Sequence, residues 1–101
     1  MATLQEVVDA LHAASTGSAQ LDNMVADFLA VPRGQQFTRN LADLQAILPA
    51  DVVIEFGADG NGVVVTVGKP PEFPGHVHGW HSTSQMLAAT EGTIRYIKGV
   101  P

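Results

Sequence analysis

The stretch DVVIEFGADGNGVVVTVG, residues 51–68, decides the fold of this chain. Apolar residues alternate along both halves, which is the period of two expected for a β-strand with one buried face. The join ADGNG carries the residue types of a hairpin turn. A two-residue turn at Asp59-Gly60 or Gly60-Asn61 puts the apolar residues of both strands on one face, whereas a three-residue loop would mix the faces. We therefore predict an antiparallel hairpin with an even loop, whose apolar face carries Val52, Ile54, Phe56, Val63, Val65 and Val67.

An isolated hairpin is only marginally stable, so a third strand or a second copy of the chain is expected beside it. The helices that cover its apolar face are predicted from the residues before it, where apolar side chains recur at helical spacing. Three helices are predicted: Thr3 to Ala14, with a Thr3/Glu6 capping box and Gly17 as C′ residue; Ser18 to about Val31; and about Asn40 to Leu48.

A fourth helix is predicted after the hairpin, opened by a capping box of Ser82 and Gln85. Its apolar stripe runs to Ile97, but Gly92 interrupts it and TIRYIK, residues 93–98, is rich in strand-forming residues. A helix that ends at Glu91 and is followed by a strand is the competing prediction.

Composition limits the function classes. The chain has 101 residues, which predicts a single domain over residues 1–101, and a net charge of −5, which argues against a nucleic acid polymer as partner. It has no cysteine, so thiol catalysis and zinc–thiolate sites are excluded. Neither a signal peptide nor a membrane-spanning run is recognisable, so a cytoplasmic protein is expected. With 46% apolar and only 15% charged residues, a homo-oligomer is expected.

The segment FPGHVHGWHSTSQ, residues 73–85, holds three of the four histidines and the only tryptophan. The spacing H-x-H-x-x-H allows a metal site, but strand alternation puts His76, His78 and Trp80 on one face and His81 on the other. A hydrolytic site is the second alternative, although adjacent Ser and His residues do not make a triad. His12 and Asp9, one helical turn apart, are interpreted as a solvated pair.

The third alternative is a binding lip for a small anion. A strand that carries His76, His78 and Trp80 leads into a helix start at Ser82 and Thr83, where backbone N–H groups could hold a phosphate. Three cations are expected to converge on the same pocket: Arg33, Arg39 and Lys69. The fourth alternative makes the histidines ordinary surface groups and Trp80 a packing anchor.

The order of the segments TGSAQLDNMVADFLAV, FTRNLADLQAILP and HSTSQMLAATEGTIRYI resembles the phage ABA-sandwich domain family. The family pattern does not call for histidine at positions 76, 78 and 81, and Ser84 stands where proline would be usual. The resemblance implies a phage origin, a helix-sheet-helix sandwich and a last helix that continues through Gly92. It implies no catalytic residue.

We therefore expect an α+β fold, with N-terminal helices and a C-terminal helix packed on a small antiparallel sheet. The expected function is non-catalytic: sequestration of a small phosphorylated ligand, such as a host nucleotide immune signal, in a pocket shared between subunits. No cofactor is expected. The alternatives are a phage protein–protein interaction factor, as inhibitor or scaffold, and a small metal-dependent or His-based hydrolase.

Overall fold

The computed structural model describes residues 2–73 and 75–100, which form four helices and one three-stranded antiparallel sheet of strand order β1-β2-β3. The α+β fold is confirmed. The elements are α1 (Leu4–Ala13), α2 (Ala19–Leu29), α3 (Leu41–Ala46), β1 (Val53–Ala58), β2 (Val63–Gly68), β3 (Val77–His81) and α4 (Gln85–Lys98). Within these residues no helix is long and apolar enough to cross a membrane.

The predicted hairpin forms with the predicted register. Phe56 lies opposite Val65 and Ile54 opposite Val67, so the apolar residues of β1 and β2 share one face. The backbone N–H of Asp59 donates to the carbonyl of Gly62 at 3.3 Å, which closes a two-residue turn at Gly60-Asn61. The even loop is confirmed, because only that loop length keeps both apolar rows on one side.

The third strand of the sheet is β3, which the histidine-rich segment supplies. It pairs antiparallel with β2, with Trp80 opposite Val64 and His78 opposite Thr66. The alternation of burial along β3 confirms the predicted parity, since Val77, Gly79 and His81 are buried while His78 is exposed and Trp80 is half-buried.

The starts of α1 and α2 are as predicted. Thr3 and Glu6 form a capping box, and the Ser18 hydroxyl accepts from the Leu21 N–H. The prediction that Gly17 ends α1 was wrong, because α1 ends at Ala13 with Ala14 as its cap. Gly17 instead lies against Thr38, where a Cβ atom would stand 2.0 Å from the Thr38 carbonyl oxygen.

Helix α4 is one continuous helix from Gln85 to Lys98, so the competing strand over residues 93–98 was wrong. The Ser82/Gln85 capping box was also wrong. Ser84 is the N-cap, and its hydroxyl accepts from the Leu87 N–H at 3.1 Å. Helix α3 is shorter than predicted, since it ends at Ala46 and not at Leu48.

The layers are ordered sheet, α4, then the N-terminal helices. Residues of α4 from Leu87 to Ile94 are buried all the way round the helix, because β2 and β3 pack on one side while α1 and α3 pack on the other. The contact with β3 is close: Gly79 lies against Gly92 and the backbone of Ala88. Two glycines therefore let the helix and the strand approach each other backbone to backbone.

Candidate functional site

The face of the sheet opposite α4 is partly open to solvent, and we name it the outer face. Its central strand contributes Val64 and Thr66, which are only half-buried although strands lie on both sides of them. A central strand with covered faces would bury such residues. The outer face comprises Val53, Glu55, Gly57, Val64, Thr66, His78 and Trp80, with His76 just before β3.

His76 and His78 stand together on the outer face. Their rings are 5.1 Å apart in an edge-to-face arrangement. The Nδ1 atom of His76 lies 2.9 Å from the Phe73 carbonyl oxygen, and Nδ1 of His78 lies 3.3 Å from the Thr66 hydroxyl. The predicted grouping of His76, His78 and Trp80 on one face is therefore present as geometry.

His81 lies on the opposite face and is 1% exposed. Its Nδ1 atom accepts from the backbone N–H groups of Thr83 and Ser84, at 3.0 and 2.9 Å. Backbone N–H groups can only donate, so Nδ1 carries no proton and the Nε2–H donates to the Ala14 carbonyl oxygen at 2.7 Å. His81 is thus a neutral structural group that ties the segment before α4 to the end of α1.

Three backbone N–H groups near the predicted anion site at the start of α4 already have internal acceptors. The Thr83 and Ser84 N–H groups are occupied by His81, and the Leu87 N–H is occupied by the Ser84 hydroxyl. The hydroxyls of Ser82 and Thr83 have no hydrogen-bond partner among residues 2–73 and 75–100. The start of α4 is therefore organised around an internal acceptor.

The three cations predicted to converge are each paired with a carboxylate of their own. Arg33 binds Asp27, Arg39 binds Asp22, and Lys69 lies 3.3 Å from Asp51; none of these three pairs involves His76, His78 or His81. The Arg33 guanidinium holds the pKa of the Asp27 carboxyl below its ordinary value. That exposed pair therefore stabilises the fold slightly at pH values above the ordinary pKa of an aspartate. The stabilisation is lost as the pH falls through the lowered pKa of Asp27.

Arg39 belongs to a buried network. The Asp22 carboxylate is 2% exposed and accepts from the Thr38 N–H at 2.8 Å, the Thr38 hydroxyl and the Arg39 Nε–H at 2.9 Å. This network ties α2 to the segment before α3. Arg39 thus has a structural partner that a ligand would have to displace.

Replacing Arg39 by glutamine is expected to lower the free energy of unfolding by about 1–2 kcal/mol, because the buried Asp22 carboxylate loses its counter-charge. Chemical denaturation at neutral pH measures the effect. Arg33→Gln is the matched control, since it removes an arginine from an exposed pair and should lower the denaturation midpoint much less than Arg39→Gln does. Equal midpoints for the two variants would contradict the structural role of Arg39.

A buried carboxylate that the sequence did not single out joins three elements. Glu91 of α4 is 4% exposed. Its Oε1 atom lies 2.6 Å from Nε2 of His12 and 3.1 Å from the backbone nitrogen of Trp80, and its Oε2 accepts from Arg95 at 2.8 Å. The interpretation of His12 as a solvated partner of Asp9 was wrong, since Asp9 instead accepts from Gln5. The only signal in the sequence is a lone acid in the middle of a helix.

A groove of about 420 Å³ lies beside β1, lined by Glu55, Phe56, Gly57, Ala58, Asp59, Val64 and Thr66. Its two charged groups are the carboxylates of Glu55 and Asp59. The groove is therefore acidic, while the histidines lie on the β3 side of the same face. Among residues 2–73 and 75–100, no group of three or more His, Asp or Glu side chains is placed to hold a metal ion.

The fold and this face define a small α+β domain with one open sheet surface. No protein-family model matches the chain, and no match was found among the curated proteins or the solved structures. The resemblance to the phage ABA-sandwich family stays a prediction.

Proposed function

We propose that this protein is a non-catalytic interaction factor that recognises a protein partner through the outer face of its sheet. The observation that carries the proposal is the half-exposure of Val64 and Thr66 on the central strand. A central strand without cover presents a mixed apolar and polar surface, which is the composition of a typical protein–protein interface.

The charges of the outer face indicate the chemistry of the partner. Glu55 and Asp59 make the groove beside β1 acidic. A lysine or arginine of the partner fits this groove, because opposite charges steer association and fix the orientation of a complex. His78 supplies a polar contact on the other side of the face, beside the half-buried Trp80, whose ring stands edge-to-face with the His12 ring at 5.5 Å between centroids.

The same charges weigh against a phosphate as the principal ligand. Arg33, Arg39 and Lys69 are paired with carboxylates, and the groove itself carries two carboxylates. A phosphate in this groove would meet like charge without a compensating cation from the described chain.

A second candidate function is sequestration of a small phosphorylated ligand, with a phage origin. It is favoured by one observation: His76, His78 and Trp80 stand on the same side of β3. Titration with a panel of cyclic oligonucleotides and ADP-ribose-type compounds by calorimetry tests it. Micromolar binding that His78→Ala weakens supports this candidate, and an absence of heat across the panel removes it.

Binding through the outer face predicts that Thr66→Arg abolishes partner capture. The immobilised chain is incubated with lysate of cells in which it naturally occurs, and stoichiometric partners are identified by mass spectrometry. Thr66→Arg puts a bulky cation at the centre of the face, so at least a tenfold loss of captured partner is expected. Gln45→Arg adds the same charge at an exposed position of α3 and should capture as wild type does. Capture that Thr66→Arg leaves unchanged contradicts the proposal.

A further inference from the structure

The two edges of the sheet differ. At the β3 edge, the backbone nitrogen of Trp80 donates to the Glu91 carboxylate of α4, so this outward N–H is already bonded. At the β1 edge, every residue except Ile54 is exposed, and Val53 and Phe56 keep 37% and 40% of their surface accessible. An exposed edge strand without lysine or proline offers its free N–H and C=O groups to another strand.

The direction of the Trp80 N–H shows which residues of β1 point their backbone N–H and C=O groups away from β2. This N–H points away from β2, so Gly79 and Val65 form a hydrogen-bonded pair, and the Val64 backbone groups face β1. Gly57 is then bonded to Val64, in agreement with the bond from Asp59 to Gly62 two residues further on. The free N–H and C=O groups at the edge therefore belong to the alternate residues Ile54, Phe56 and Ala58.

We propose that β1 pairs antiparallel with β1 of a second copy of this chain, with Phe56 opposite Phe56 across a two-fold axis. Only Ile54, Phe56 and Ala58 have free backbone groups, so a hydrogen-bonded register must place these residues of one copy opposite the same set in the other. An axis at Glu55 puts two Glu55 side chains opposite each other, and an axis at Gly57 puts Glu55 opposite Asp59. Like charges directly opposite are destabilising, so both registers are disfavoured.

Length decides among the registers that remain. An axis at Phe56 pairs residues 54–58 of both strands, places Glu55 opposite Gly57, and brings no like charges opposite each other. An axis at Ile54 pairs only residues 53–55 of the strand, and an axis at Ala58 falls at the turn. The Phe56 axis therefore gives the longest ladder that places no like charges directly opposite each other.

This pairing explains the exposed Phe56. The two Phe56 side chains meet on the side of the sheet that α4 covers, and Ile54 lies opposite Ala58 of the second copy. Aromatic cross-strand pairs stabilise a ladder. The result is a continuous six-stranded sheet whose two outer faces join. The pairing uses β1, which also lines one side of the acidic groove, whereas Thr66 on the central strand takes no part in it.

Two single-cysteine variants measure the register, because the chain has no native cysteine. In the proposed register the two residues at position 56 have Cα atoms about 5.5 Å apart, within reach of a disulfide, whereas those at position 55 are diagonal neighbours about 7–8 Å apart. On mild oxidation of purified protein, Phe56→Cys is expected to give a covalent dimer on a non-reducing gel. Glu55→Cys and Val53→Cys are expected to stay uncross-linked. Cross-linking of Glu55→Cys instead, or equally of all three, overturns the register.

Sedimentation equilibrium tests the dimer without cysteines. Wild type is expected to be dimeric, and Ala58→Pro to self-associate at least tenfold more weakly, because proline removes an N–H that only the second copy uses. Thermal melting of Ala58→Pro at a concentration where both proteins are monomeric should match wild type within a few degrees. The proposal is overturned if the wild-type protein is still monomeric at a concentration on the order of 100 micromolar, or if Ala58→Pro dimerises as strongly as wild type. Thr66 takes no part in the β1 pairing, so Thr66→Arg tests partner capture by the outer face separately.

Discussion

Replacing Glu91 by alanine is expected to lower the free energy of unfolding by about 3–5 kcal/mol. The carboxylate is 4% exposed and is the common partner of His12, Arg95 and the Trp80 backbone N–H. Its removal leaves the Trp80 N–H without its acceptor and takes a carboxylate contact from the half-buried Arg95, and both losses fall on the folded state. Urea denaturation followed by circular dichroism measures the loss.

The matched control for this variant is Glu55→Ala, which removes a carboxylate from the exposed edge strand. Its free energy of unfolding should change by less than about 0.5 kcal/mol. If Glu91→Ala unfolded at the same urea concentration as Glu55→Ala, the junction of α1, β3 and α4 at Glu91 would not stabilise the fold.

Replacing Gly79 by alanine is expected to lower the free energy of unfolding by about 4 kcal/mol or more, which would leave much of this small domain unfolded. A Cβ atom at Gly79 would stand 2.1 Å from the carbonyl oxygen of Ala88 and 2.5 Å from the nitrogen of Gly92. Both are backbone atoms of α4 and cannot move by a side-chain rotation. The helix would have to lift off the sheet, which opens the centre of the core.

Gly57→Ala is the control for Gly79→Ala, because it adds the same methyl group to a glycine of the same sheet. The nearest atom to a Cβ there is the Val64 carbonyl oxygen at 3.8 Å, an ordinary contact. Its midpoint in thermal unfolding should stay close to that of wild type. A Gly79→Ala protein that melts with Gly57→Ala would show that the helix and strand are not in close backbone contact.

The hairpin was predictable because it is local. Alternation along residues 51–68 and the ADGNG turn fix the faces and the loop length without any knowledge of the rest of the chain. The same alternation separated His81 from His76 and His78. Periodicity of two is a property of the strand itself, so a correct strand assignment carries the side-chain directions with it.

The N-cap of α4 was not predictable from local pattern. Ser82, Thr83 and Ser84 are all good capping residues, and Ser82 even has a glutamine three positions later. The choice falls on Ser84 because the His81 ring occupies the N–H groups of Thr83 and Ser84. That bond depends on the long-range anchor between His81 and the Ala14 carbonyl, 67 residues away along the chain.

The ion pairs could not be predicted from the sequence either, because they too join residues that are far apart along the chain. Arg39 meets Asp22, 17 residues earlier, and His12 meets Glu91, 79 residues later. Nothing in the neighbouring residues marks these partners. The predicted convergence of cations on one pocket assumed that they were free, and the tertiary fold gives each of them a carboxylate instead.

The most direct test of the outer face as the recognition surface is NMR mapping of the ¹⁵N-labelled chain with its captured partner. The largest chemical-shift changes are expected to cluster on Glu55, Val64, Thr66 and His78. Changes centred instead on Thr83, Ser84 and Arg39, with the sheet unaffected, would contradict it and return the site to the start of α4.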